Sequence, residues 1–134
     1  MRSPKRLEDS RLLKLRVTYF ATGVLSYLAV NIFERLATAL EGQMPRTEIY
    51  SIQGFSHVFF GMGLASAVLF LRPRSSARLM ILVVLLAGIA WELHEGLWLR
   101  GEPLDSVEDV VLSILSASTF LCFTRRKERE RSPT

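Results

Sequence analysis

The sequence predicts an all-α fold: an integral membrane four-helix bundle with both termini cytoplasmic. Three observations carry that expectation. First, 49% of the 134 residues are hydrophobic and the mean hydropathy is +0.25, which is too apolar for an ordinary soluble domain of this size. Second, four stretches approach the roughly 20 mostly apolar residues that a bilayer crossing takes. Third, the basic residues gather on one side of those stretches, as the positive-inside rule requires. Regular β-alternation is absent, and in lipid that leaves helices to satisfy the backbone.

Taken in order, residues 1–16 form a basic cytoplasmic segment. Its Leu7, Leu12, Leu13 and Leu15 suit part of it to lying on the membrane as an amphipathic helix. The transmembrane domain covers 17–124, with spans at about Val17–Leu40, Tyr50–Leu71, Leu79–Leu99 and Val107–Thr124. The third is the clearest, because no charge interrupts Leu79 to Ala90. Glu41 to Glu48, with Gly42 and Pro45, is an outer turn. Arg72-Pro73-Arg74-Ser75-Ser76 is an inner turn in which Pro73 ends the second helix. Arg100-Gly101-Glu102-Pro103 closes the third helix and leads into the fourth. Residues 125–134 form a basic cytoplasmic tail of the composition that stays disordered. Connections this short make neighbouring helices antiparallel. Ala37-Thr38-Ala39 superficially matches a leader cleavage site, but Asn31, Glu34 and Arg35 interrupt the apolar run before it. An uncleaved first span is expected.

Fourteen of the seventeen lysines and arginines fall before span one, in the second loop, or after span four. A net charge of +4 and a pI near 9.7 would suit a nucleic-acid binder. The one-sided distribution instead points to membrane lipids, with the basic tails against anionic headgroups, and no nucleic-acid partner. The single Cys122 has no partner for an intramolecular disulfide and no zinc-ribbon spacing around it. Gly61, Gly63, Ala65 and Ala67 in span two, and Ser113, Ser116 and Ala117 in span four, allow close helix contact.

Each span carries a polar stripe at helical spacing. The stripes are Tyr27, Asn31, Glu34 and Thr38; Gln53, His57 and Gly61; Gly88, Glu92 and Glu95; and Asp105, Asp109, Ser113 and Ser116. Trp91, His94 and Trp98 are rotated away from the third stripe, as interfacial residues would be. An ionisable residue at membrane depth costs several kcal/mol unless paired or put to use. The stripes therefore predict one outward-facing polar site with His57, Glu92, Glu95 and Asp109 as metal ligands, supported by Glu34 and Asp105. Imidazole with carboxylates suits Zn²⁺, Mn²⁺ or Mg²⁺, and carboxylates on facing helices are how bundles build metal sites. Structural roles compete for the same residues. Ser106-Val-Glu-Asp109 fits a capping box, Glu34 can pair with Arg35 of a second copy, and Arg35 can pair with Glu95.

From about Gly54 to Ala117 the chain resembles the VanZ-like membrane proteins and the related YjdF-like bacterial membrane proteins. Ser56-His57-Val-Phe-Phe-Gly61 resembles the family's His at the head of an apolar helix. Trp91-Glu92-Leu-His-Glu95 is similar to its Trp-Glu-x-x-Glu block. Asp105-Ser-Val-Glu-Asp109 and the following Ser113, Ser116 and Ala117 resemble its Asp-x-x-x-Asp segment. The family's Asp-Lys before the His is missing, Ser113 stands for its Asn or Asp, and Ser116 stands for its Gly. The resemblance implies a small helical protein of the bacterial inner membrane, linked in its namesake to glycopeptide resistance, with no settled activity.

The functional expectation is a site that binds or processes a cell-envelope component, possible lipid-linked substrates included, with a divalent metal. A proton- or cation-coupled transport subunit is the alternative, and a non-catalytic docking partner for another membrane protein is a third. Four helices enclose little volume, so transport would call for a homo-oligomer.

Overall fold

The computed structural model describes the backbone of residues 4–98 and 103–130, and the side chains of 9–94 and 107–126. It contains α1 (Pro4–Leu40), α2 (Arg46–Leu71), α3 (Ala77–Trp98) and α4 (Pro103–Glu130). All four are long and apolar enough to cross a membrane. Proline marks their limits. Pro4 and Pro103 occupy first helical positions, where a missing N–H costs nothing. Pro45 precedes α2, and Pro73 follows it. Gly42, with φ of 81°, takes the left-handed conformation that turns the chain after α1.

Two ends differ from expectation. The basic segment is no separate surface helix, because α1 runs unbroken from Pro4 through span one. No proline interrupts that run. Likewise α4 continues through the first part of the basic tail to Glu130.

α2 is the central helix, with α1 packed along one side and α4 along the other, while α3 packs mainly on α4. Among the described residues, the α2–α4 seam holds the closest approach at a glycine. A Cβ on Gly61 would stand 2.0 Å from the Ser113 carbonyl oxygen, so only glycine fits. From that point the two helices run parallel in step. One turn inward Ala65 and Ala117 share a buried cluster with Val84, and one turn further Leu69 and Leu121 join Tyr19 and Met80 in a second cluster. The seam therefore widens from backbone contact to methyl to isobutyl contact as it descends.

The other pairs are antiparallel. Along α1–α2, Ser26 lies against Gly63 and Gly23 near Ser66, whose hydroxyl donates to the Gly63 carbonyl at 2.7 Å. Toward the outer end Phe33 stacks on both Phe55 and Phe59, with centroids 5.5 and 5.7 Å apart. Along α3–α4, Gly88 seats the Val110 side chain. Large apolar residues elsewhere stay open, for example Leu25 at 67% and Phe123 at 72% exposure. Such a surface is untenable in water but suits lipid.

Replacing Gly61 by Ala drives a methyl into the Ser113 backbone, which cannot swing aside. The expected loss is at least the 1–3 kcal/mol typical of overpacking, read as a lower unfolding midpoint in detergent. A Gly61→Ala protein as stable as wild type would mean the seam is looser than described.

Candidate metal centre

The seam's register determines what meets at its outer end. One turn before Gly61 is His57, and one turn before Ser113 is Asp109. Parallel helices locked at 61 and 113 must bring these two side chains together. They do: His57 Nε2 lies 3.2 Å from Asp109 Oδ2, and the two side chains are 13% and 21% exposed. The Ser113 hydroxyl adds a bond from α4 to the His57 backbone carbonyl at 3.1 Å. α3 contributes Glu92, one turn beyond Gly88. One ligand atom each from His57, Glu92 and Asp109 lie within 4.8 Å of one another, all three residues being partly buried.

The capping reading of Asp109 is removed by the helix start. α4 begins at Pro103, which places Asp109 in the second turn, beyond the reach of the orphan N–H groups that caps satisfy.

Glu34 stands apart from this trio. It reaches α2 from the α1 side, where its Oε1 accepts a hydrogen bond from the buried Ser56 hydroxyl. Ser56 and His57 are adjacent in sequence and hence about 100° apart around α2. One points to α1 and the other toward α3 and α4. Glu95 and Asp105 lie outside the residues whose side chains are described.

The remaining stripe residues are mostly spent on their own helices. Asn31 donates to the Tyr27 carbonyl at 2.8 Å and Thr38 to that of Glu34 at 2.9 Å. Ser116 donates to the Ser113 carbonyl at 2.9 Å. Gln53 lines a separate outer hollow with Thr38 and Glu41. His94 is exposed beside Trp91, with ring centroids 6.0 Å apart, and does not join the trio.

Sequence reasoning missed a groove. An open cleft of about 710 Å³ runs along α1 and α2, with Trp91 of α3 at its edge. Glu34, Ser56 and His57 mark its polar end, and Phe20, Val24, Phe60, Leu64 and Phe70 line its apolar length. Arg and Lys are absent among these lining residues. The adjacent aromatics Phe59 and Phe60 were the available signal, but apolar aromatics in a membrane span are expected on any face. Trp91, expected away from the site, packs near Phe60 and borders the groove.

No family model, no curated protein and no solved structure matches the chain. His57, Glu92 and Asp109 come one from each of the three sequence blocks that resemble VanZ-like proteins.

A double-mutant cycle tests the α1 side of the site. Ser56→Ala and Glu34→Gln should show a coupling of about 1–2 kcal/mol in detergent stability, the scale of a hydrogen bond to a charged group. Purely additive losses would mean the two side chains are not partners.

Proposed function

We propose that the chain is a multi-pass protein of a bacterial inner membrane, of the VanZ-like type. In this reading its His57–Glu92–Asp109 centre binds a divalent metal and acts on a lipid-linked component of the cell envelope. The observation that carries it is the meeting of one imidazole and two carboxylates from three candidate membrane-spanning helices. Ionisable side chains in such helices are costly unless paired or put to use.

The spacing is compatible with a metal. Zn²⁺ bonds of about 2.0–2.2 Å in tetrahedral geometry hold ligand atoms roughly 3.3 Å apart. The His57–Asp109 separation of 3.2 Å suits that as well as it suits a direct ion pair, and Glu92 offers a third ligand atom within 4.8 Å. A bound metal in such a site lowers the pKa of water or polarises a phosphoryl or carbonyl oxygen. Glu34, which shares the groove with His57, is placed to act as a base or to orient a substrate. The groove supports a substrate with an apolar tail, since its polar end and its apolar length are continuous.

Transport by a single copy fits less well. Inward of the trio the α2–α4 seam is closed by Gly61 on Ser113, then Ala65 with Ala117, then Leu69 with Leu121. A polar path does not continue along it.

Metal content of detergent-purified protein, by mass spectrometry, tests the proposal. Wild type should hold close to one equivalent of Zn²⁺, Mn²⁺ or Mg²⁺. His57→Ala, Glu92→Gln and Asp109→Asn should each weaken binding by roughly 100-fold or more, since even outer-shell partners are worth about 10–100-fold. His94→Ala should bind as wild type does. A folded wild type that takes up none of the three metals when supplied would sink the metal reading.

A further inference from the structure

At the opposite, basic end of the bundle lie two adjoining hollows that the metal centre does not involve. One, of about 320 Å³, is lined by Arg11 of α1, Arg74 of the α2–α3 turn and Arg125 of α4, over a floor that includes Tyr19, Leu69 and Leu121. The other, of about 490 Å³, shares Arg74 and Ser75 with it and adds Arg72 and Asp9. Among the described residues, the two hollows are lined by four arginines and one aspartate.

Several independent features place positive potential there. The arginines come from three separate elements and converge only because the bundle folds. Arg125 is held in place by donating from Nη2 to the Ser75 carbonyl at 3.2 Å. The turn sits at the N-terminus of α3, whose Leu79 N–H is capped by the Ser76 hydroxyl at 3.2 Å, so the helix dipole adds positive charge.

The floor decides what kind of anion. Tyr19, Leu69 and Leu121 belong to the inner apolar cluster, and Leu12 and Leu15 extend the lining along α1. A free phosphate has no use for such a wall, whereas a diacyl phospholipid presents a phosphate with chains running alongside it. Basic pockets between membrane helices are known to hold anionic headgroups.

We propose that the Arg11–Arg74–Arg125 hollow is a specific site for one anionic phospholipid, its phosphate among the three arginines. The site stands independently of the metal centre and of the function proposed for it. Lipid there ties α1, the α2–α3 turn and α4 together at the basic end.

The test uses the full chain in nanodiscs of phosphatidylglycerol and phosphatidylcholine, released into detergent and examined by native mass spectrometry. Wild type should retain one phosphatidylglycerol in preference to phosphatidylcholine. Arg74→Gln/Arg125→Gln should lower that retention at least tenfold. Arg11→Gln, a change to an exposed residue that leaves the inter-element bond of Arg125 intact, should lower it severalfold and keeps the test open if the double variant does not fold. Lys14→Gln/Arg78→Gln removes two basic-end charges outside both hollows and should retain lipid as wild type does. Equal loss in that control would overturn the site in favour of diffuse surface charge. Equal retention of phosphatidylcholine would show that chains alone bind. Displacement of the lipid by millimolar inorganic phosphate would reassign the hollow to a free anion.

Discussion

The contact of Gly61 with the Ser113 backbone is the constraint on which the rest of the molecule depends. In lipid, apolar side chains gain little by leaving the bilayer for one another, so close packing and a few hydrogen bonds must hold the helices. The absence of a side chain at Gly61 lets two backbones meet, and that meeting fixes the rotation and the height of α4 on α2 at once. Everything above and below follows in steps of one turn. Inward, the partners are alanines and then leucines, filling the widening space. Outward, they are an imidazole and a carboxylate, which no apolar seam would place opposite each other without use.

The same constraint explains why α1 and α3 contribute differently. α3 packs on α4 through Gly88 and delivers Glu92 to the pair already assembled. α1 packs on α2 by a second small-residue crossing at Gly23, Ser26, Gly63 and Ser66, and delivers Glu34 to the other side of α2. The groove is the space left between these arrangements. It opens at His57 because His57 is the member of the trio carried by the helix that both sides share.

Much of this was legible in the sequence, and for identifiable reasons. Helix number and the placement of three trio members follow from hydropathy and from 3.6-residue periodicity, both of which act residue by residue along one chain. Small residues at 61, 113 and 117 marked the seam because close approach in lipid permits few alternatives. The stripes overstated convergence, however. Asn31, Thr38 and Ser116 looked available but bond to carbonyls of their own helices, a local option periodicity does not weigh. Glu34 shares the groove's polar end with His57 but bonds to Ser56, because a stripe gives the face of its own helix and not which partner that face meets. The groove and the basic-end hollows were invisible for the same reason: they are spaces between elements, and their walls come from residues far apart in the chain. Span limits read from charge say nothing of where a helix ends, since charged residues continue a helix well, as α1 and α4 do.

The stepwise pairing of α2 with α4 also sets where the chain tolerates a change of length. One residue added within a helix turns everything beyond it by about 100°. An insertion between His57 and Gly61, or between Asp109 and Ser113, would leave the crossing in place but swing one member of the His57–Asp109 pair away from the other. The turns after α1, α2 and α3 carry no such phase, because each helix is positioned by its own contacts. Length variation in related chains should therefore accumulate in those turns, while the four-residue interval from that pair to the crossing stays fixed on both helices, a spacing that serves as a signature of the site even where the residues around it have drifted.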